Sequence, residues 1–180
     1  MLRVRSSKLI VTLAGLVSLA AAPLLAQSPV ATATASINGK SLAVRYSAPS
    51  VRGRQIFGAG GLLSNDPTYP AWRAGANSAT TFTTDADLVV GGLAVPKGTY
   101  TLYAWVQNPV AWDLIINKQT GQWGLAYDPK QDLGRVKMTM SKPPALVETL
   151  KYTLADKGQG QGELRLEWEH HVATVPITVK

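Results

Sequence analysis

Apolar residues recur at every second position through most of this chain, and this alternation constrains the fold more than any other feature of the sequence. Leu42, Val44 and Tyr46 share one face of a predicted strand, and Leu164 and Trp168 share another near the end. Successive side chains of a strand point to opposite faces, so each such stretch buries one face and leaves the other to water. No stretch after residue 26 has the 3.6-residue spacing of an amphipathic helix. The alternation therefore predicts an all-β domain.

Turn signals divide the alternating stretches into about nine or ten short strands, as in a two-sheet sandwich. Asn38-Gly39 is a strong two-residue hairpin signal. The turn Val95-Pro96-Lys97-Gly98 precedes a stretch, 99–107, that is apolar on both faces, so we expect this strand to be central or covered on its outer face. A second strand-like stretch is predicted over 122–127. We predict a single-domain antiparallel β-sandwich, jelly-roll or immunoglobulin-like, over residues 27–180.

The amino-terminal 26 residues have the pattern of a secretory signal peptide. Arg3, Arg5 and Lys8 precede an uninterrupted apolar run, 9–22, and Ala26 offers a cleavage site. The apolar run is slightly short for a spanning helix, which needs about 20 residues, and no cysteine is present for lipid attachment. We therefore expect a leader over 1–26, a periplasmic or secreted protein, and no membrane span after cleavage.

Composition excludes several classes of function. The chain has no cysteine, which excludes disulfides, zinc–thiolate sites and a cysteine nucleophile. Without the three cations of the leader, 15 Lys and Arg face 11 Asp and Glu, a formal charge of +4, and no basic run is interleaved with stacking aromatics. This is not the footprint of a nucleic-acid-binding protein. The glycine-rich piece 58–61 lacks the following Lys-Ser/Thr of a phosphate loop, and we expect no cofactor.

The segment 48–78 has little strand patterning and is far longer than an ordinary connection, so it is the candidate site. Its ligand-binding candidates are Arg52, Arg54, Trp72, Arg73 and Asn77. Arginine binds carboxylate and phosphate through paired donors, and an indole stacks on apolar ring faces, so this set suits a small anionic or glycan ligand. The alternative is structural: the guanidinium groups would bond the loop's own carbonyls while the indole closes the end of the sandwich. In either case we expect the loop to pack back on the sandwich.

Other chemistry-bearing residues have structural interpretations. His170 and His171 are consecutive, so on a strand they would point to opposite faces and could not chelate one metal; we place them in the turn between the last two strands. No Gly-x-Ser-x-Gly motif is present. Paired-carboxylate catalysis would have to use acids that resemble turn residues or lack a local signature. These acids are Asp85, Asp87, Asp113, Asp128 and Asp132. We assign no catalytic and no metal-binding residue.

The tryptophans divide into two groups. Trp112 and Trp168 lie in register with aliphatic neighbours and are predicted to pack in the core. Trp105 and Trp123 stay open between core packing and a sugar-stacking surface.

Two sequence blocks carry a family resemblance. They are 46–58, YSAPSVRGRQIFG, and 72–80, WRAGANSAT. With weaker agreement over 35–179, they resemble the bacterial DUF2911 family, a domain of unknown function. The resemblance implies an exported β-rich protein and supplies no activity. The chain departs from the family in a longer stretch over 58–71 and in Ser78, where members often have glutamate.

These observations favour an exported, non-catalytic binding module for an anionic or carbohydrate-like ligand of the cell envelope. Two other classes stay open: a carboxylate-dependent hydrolase of glycans or esters, and a structural protein-interaction module with an exposed apolar patch or an unpaired strand edge. The first would display two carboxylates about 5 to 10 Å apart in a cleft. Convergence of the guanidinium groups on an open concavity would support ligand recognition. The sequence does not determine the oligomeric state.

Overall fold

The computed structural model describes residues 27–180, which form two antiparallel sheets packed face to face. The first sheet contains β1 (Val30–Ile37), β2 (Lys40–Ser47), β3 (Ala71–Trp72), β4 (Thr80–Thr84), β7 (Gly98–Asn108), β8 (Ala111–Asn117) and β9 (Asp132–Lys137). The second contains β5 (Leu88–Val90), β6 (Leu93–Val95), β10 (Thr139–Ser141), β11 (Val147–Gly158), β12 (Gln161–Glu169) and β13 (His171–Val179). The spatial orders are β1-β2-β4-β7-β8-β9, with β3 beside β7, and β11-β12-β13-β5-β6, with β10 beside β13.

This architecture confirms the predicted all-β antiparallel sandwich. The described residues form thirteen strands, more than the nine or ten expected, because β3, β5, β6 and β10 have only two or three residues each. Two short 3-10 turns, Leu62–Asn65 and Pro129–Gln131, are the only helical segments within 27–180. None of the helices there is long and apolar enough to cross a membrane. The predicted leader, 1–26, lies outside the described residues and stays a prediction.

The opening hairpin follows the sequence prediction. Asn38 and Gly39 both have positive φ, 50° and 72°, and join β1 to β2 with Ile37 paired to Lys40. Positive φ at both central residues gives a two-residue turn whose twist matches the flanking strands.

Strand β7 is buried on both faces, as its sequence predicted. It lies between β4 and β8, and its inward residues join the main core. On the outer face, Tyr103 is fully buried with Ala71 and Ile115, and Trp105 and Tyr127 pack partly buried around them. The covering segment is 122–127, which was expected to be a strand. That expectation was wrong: the segment has only one isolated bridge, between Trp123 and Ser78.

The chain passes from one sheet to the other at Met138. Strand β9 pairs with β8 of the first sheet, whereas β10 pairs with β13 of the second. Between them the Met138 amide donates to the Trp112 carbonyl at 2.9 Å. This corner ties the two layers together beside the turn that joins β12 to β13.

An aromatic cluster fills the core below the long loop. The indoles of Trp72 and Trp168 stack with centroids 5.5 Å apart. Phe57 of the loop lies 4.8 Å from Trp112 and 4.6 Å from His171. Trp112 and Trp168 are therefore core residues, as predicted, and the loop contributes its own rings to the sandwich core.

Candidate functional site

Segment 48–78 packs back on the sandwich, as expected. Its apolar side chains enter the core, among them Val51, Ile56 and Phe57. Two of its backbone amides are bound by carboxylates: the Arg52 amide donates to the Glu148 carboxylate at 2.8 Å, and the Ile56 amide donates to Glu169 Oε1 at 3.0 Å. The loop is thus held by side chains of β11 and β12.

Two adjoining concavities lie against this loop, with volumes of about 320 and 300 Å³. We call them the loop cavity and the arginine cavity. They share Ser28, Pro49 and Arg54 as lining residues. The loop cavity also contains Leu62, Leu63, Asn65, Asp66, Trp72, Arg73 and Trp168. The arginine cavity also contains Ser50, Arg52 and Asn77. Every candidate residue named from the sequence lines one of the two.

Arg54 bonds the loop's own carbonyls, the structural role considered from the sequence, and it also lines both cavities. Its Nε donates to the Val51 carbonyl at 3.0 Å, and Nη2 donates to the Ser50 carbonyl at 2.7 Å. These bonds close the turn around Arg52, which has a positive φ of 52°. A guanidinium has five N–H donors, so the two carbonyl bonds leave others for a ligand. Arg54 therefore stabilises the loop and lines both cavities.

Arg73 holds a poorly paired charge at the wall of the loop cavity. Its side chain is 18% exposed, and Nη2 lies 4.0 Å from Asp66 Oδ2. Nε and Nη1 are buried and have no hydrogen-bond partner among residues 27–180. Gly124 covers the side chain so closely that a Cβ there would overlap the Arg73 Cδ. Burying donors without partners costs free energy, so this arrangement exists at the expense of stability.

Trp72 agrees with the structural alternative and not with a ligand-stacking surface. It is 1% exposed, its Nε1 donates to the Gly75 carbonyl at 3.3 Å, and its ring lies in the aromatic cluster. The indole thus forms the floor of the loop cavity and offers no open stacking face. Asn77 has a positive φ of 59°, and its carbonyl accepts a hydrogen bond from Gly124 at 3.0 Å. Its half-buried side chain lines the arginine cavity.

Carboxylates are distributed unequally between the two cavities. Asp66 lines the loop cavity, and no Asp or Glu lines the arginine cavity. Sequence reasoning missed Asp66, because only the folding of the loop brings it opposite Arg73. It also missed Ser28, which reaches both cavities from the segment before β1.

The five acids considered for catalysis have structural partners in the described part of the chain. Asp85 and Asp87 accept from the Ser41 and Lys97 amides, and Asp128 caps the turn at Pro129–Gln131. Asp113 pairs with Lys137 at 2.9 Å. Asp132 accepts from Tyr127 at 2.8 Å and from Arg135. None of them lines either loop-side cavity.

The remaining candidates lie elsewhere. His170 is in the turn between β12 and β13, as predicted, but His171 is not: it begins β13 and packs against Phe57 and Trp112, because the connecting turn is only two residues long. Trp105 is covered by Arg135, whose Cζ lies 4.7 Å from the ring centroid. Trp123 is 55% exposed and adjoins the site, since the next residue, Gly124, bonds to Asn77. Within residues 27–180, no group of three or more His, Asp or Glu is arranged to hold a metal ion.

Comparison with known sequences agrees with the resemblance. A family model described as "Protein of unknown function (DUF2911)" matches residues 28–177, which include both sheets and the long loop. No curated protein and no solved structure matches the chain.

Proposed function

The chain belongs to the DUF2911 family, whose description assigns no activity. From its cavities we propose that it is a non-catalytic binding module for an anionic, carbohydrate-like ligand. One observation carries the proposal: two adjoining cavities share Arg54, and the second is lined by two arginines and no carboxylate. An anionic group fits the arginine cavity, and the uncharged part of the same molecule fits the loop cavity.

Charge supports the placement of the anionic group. Arg52 and Arg54 line the arginine cavity with the polar side chains of Ser50 and Asn77. Planar guanidinium groups bind carboxylates and phosphates through paired hydrogen bonds, which are stronger than bonds between neutral groups. The asymmetry of charge thus gives the ligand an orientation.

The loop cavity suits an uncharged ring with hydroxyl groups. Leu62 and Leu63 give it apolar walls, and Asn65 and Asp66 give it hydrogen-bonding groups. Apolar walls with a few placed polar groups are typical of small-molecule sites, whose volumes run from about 300 to 1,000 Å³.

A binding role has more support than carboxylate-dependent hydrolysis. Glycoside hydrolysis normally uses two carboxyl groups on either side of the scissile bond. Asp66 is the one carboxylate among the residues that line these two cavities, and it faces Arg73. Hydrolysis through this site would therefore need a second acid from outside its walls.

Isothermal titration calorimetry tests the proposal. We expect uronic-acid disaccharides or sugar phosphates to bind, and the matching neutral sugars to bind at least about tenfold more weakly, because each loses a charge-assisted bond. Arg52→Gln should weaken binding of the anionic sugars by about 10- to 100-fold. Arg45→Gln is the matched control, because Arg45 is an exposed arginine of β2 that lines neither cavity. Equal affinity for neutral and anionic sugars, or no binding by any of them, would contradict the proposal.

Export is part of the same proposal, since the expected ligand belongs to the cell envelope. The pattern of residues 1–26 supports it. Intact-mass measurement of the protein from the periplasmic or extracellular fraction should give a chain that begins at Gln27. A chain that keeps residues 1–26, or that stays in the cytoplasm, would show this part to be wrong.

A further inference from the structure

A separate groove of about 460 Å³ lies where the ends of β8, β10 and β13 meet. Its walls come from three segments: the turn Pro109-Val110, residues 140–142, and the pair His170-His171. None of these residues lines the loop cavity or the arginine cavity. The groove is therefore independent of the site described above.

Part of the groove lining is apolar and exposed. Val110 is 73% exposed, the most exposed large apolar side chain in the described part of the chain, and Pro109 adjoins it. Met140 forms the inner wall and packs partly buried against the main core. Together Val110, Pro109 and Met140 form an apolar surface. Covering this surface with an aliphatic chain would lower the free energy, because it removes apolar area from water.

The rest of the lining is polar and includes one lysine. Lys142 and His170 are both exposed and line the groove with Ser141 and His171. No aspartate or glutamate is among the lining residues. Glu169, which precedes His170, accepts from the Ile56 amide with Oε1 and faces His171 Nδ1 at 3.4 Å with Oε2. The Glu169 carboxylate thus contacts the loop and the imidazole. Among the residues that line the groove, Lys142 is the one with a permanent charge.

We propose that this groove binds a linear aliphatic monocarboxylate, a free fatty acid of medium chain length. The chain lies along Pro109, Val110 and Met140, and the carboxylate pairs with Lys142. A lining that combines apolar side chains, one lysine and no acid matches an amphipathic anion better than a sugar or an inorganic anion. The volume also falls in the range of small-molecule sites, about 300 to 1,000 Å³.

Chain length is the sharpest test. The full-length mature protein is titrated with hexanoate, octanoate and decanoate, each below its micelle concentration, by calorimetry or ligand-observed NMR. Each added methylene that enters the groove should tighten binding by about fourfold. 1-Octanol, which has the same tail and no charge, should bind more weakly than octanoate.

Lys142→Met should weaken octanoate binding by about five- to tenfold, and Lys142→Arg should restore most of it, because the charge returns. Lys97→Met is the matched control, since Lys97 is an exposed lysine that does not line the groove. Lys142 and Lys97 are both exposed, so we expect all three variants to retain the fold, and circular dichroism checks this. Arg52→Gln should leave octanoate affinity unchanged, which separates this proposal from the one for the loop-side cavities.

Three results would overturn the proposal. Affinity that does not change with chain length would exclude the apolar wall as the binding surface. Octanoate binding that survives Lys142→Met unchanged would exclude the assigned charge contact. Absence of binding by every acid, together with a dimer in sedimentation that Val110→Asp converts to a monomer, would assign the groove to a second copy of the chain.

Discussion

Arg73 is a largely buried arginine whose charge is incompletely paired, so its surroundings do not favour stability. Its one acidic neighbour, Asp66, is 4.0 Å away, and two of its three guanidinium nitrogens are buried without partners. A buried charge with incomplete pairing is often less stabilising than an apolar side chain of similar volume. Residues that reduce stability in this way are retained at sites where function requires them.

We therefore expect Arg73→Met to leave the free energy of unfolding unchanged or to raise it by up to about 2 kcal/mol. The same variant should bind the anionic sugars more weakly, since it removes a positive charge from the cavity that adjoins the arginine cavity. Urea unfolding gives the stability, and calorimetry gives the affinity. Asp66→Asn is the companion variant, because it removes the acidic partner and keeps the side-chain shape. A loss of more than about 2 kcal/mol in Arg73→Met would show that Arg73 is mainly a structural residue.

At the scale of elements, the alternating pattern predicted the long strands well. Strands such as β2 and β12 are long enough for the period of two to be visible, and one face of each is buried. The two- and three-residue strands have no visible period, because so few positions cannot define a face. The division between β9 and β10 was also missed: Val136, Met138 and Met140 alternate without a break, although the chain changes sheets at Met138.

Segment 122–127 shows why an alternating pattern can be misleading. Trp123 and Tyr127 gave it the appearance of a strand, but Gly124 packs on Arg73 and its amide bonds to Asn77, which draws the backbone away from a ladder. Those partners are about fifty residues earlier in the chain, and their contact depends on the fold of the long loop. No local pattern in the sequence contains that information.

The candidate site was predictable in its position and only partly in its detail. The unusual length of segment 48–78 and its arginines indicated the surface on which both cavities lie. For Trp72 the sequence left ligand stacking and structural packing open, because its burial depends on β3 pairing with Ala104 of β7. The division of charge, with Asp66 in one cavity and no acid in the other, depends on how the loop folds back.

At the scale of the whole molecule, protonation of His171 makes the free energy of unfolding depend on pH. Burial is the main cause that lowers the pKa of His171, since it packs against Phe57 and Trp112. Glu169 acts in the opposite direction, and His170 and Lys142 add to the lowering. The unfolded chain therefore takes up this proton at a higher pH, near the ordinary value of 6.5, than the folded chain does.

It follows that the stabilising effect of neutral His171 is complete above about pH 6.5 and is lost as the pH falls through the folded-state pKa. We expect the free energy of unfolding to fall in this range by up to about 1.4 kcal/mol per pH unit from this group. Denaturant unfolding at several pH values checks this, with His171→Phe as the reference that removes the titration and keeps an aromatic ring. Identical pH profiles for the two proteins would refute the assignment.

The segment before β1 has a practical consequence for anyone who prepares this protein. Ser28 and Pro29 run beside Ala48, whose amide donates to the Pro29 carbonyl at 2.8 Å, and Gln27 and Ser28 border the arginine cavity. An affinity tag fused directly ahead of Gln27 would start at the rim of that cavity and compete with added compounds. Lys180 borders neither loop-side cavity nor the groove, so a carboxy-terminal tag is the better choice for screening.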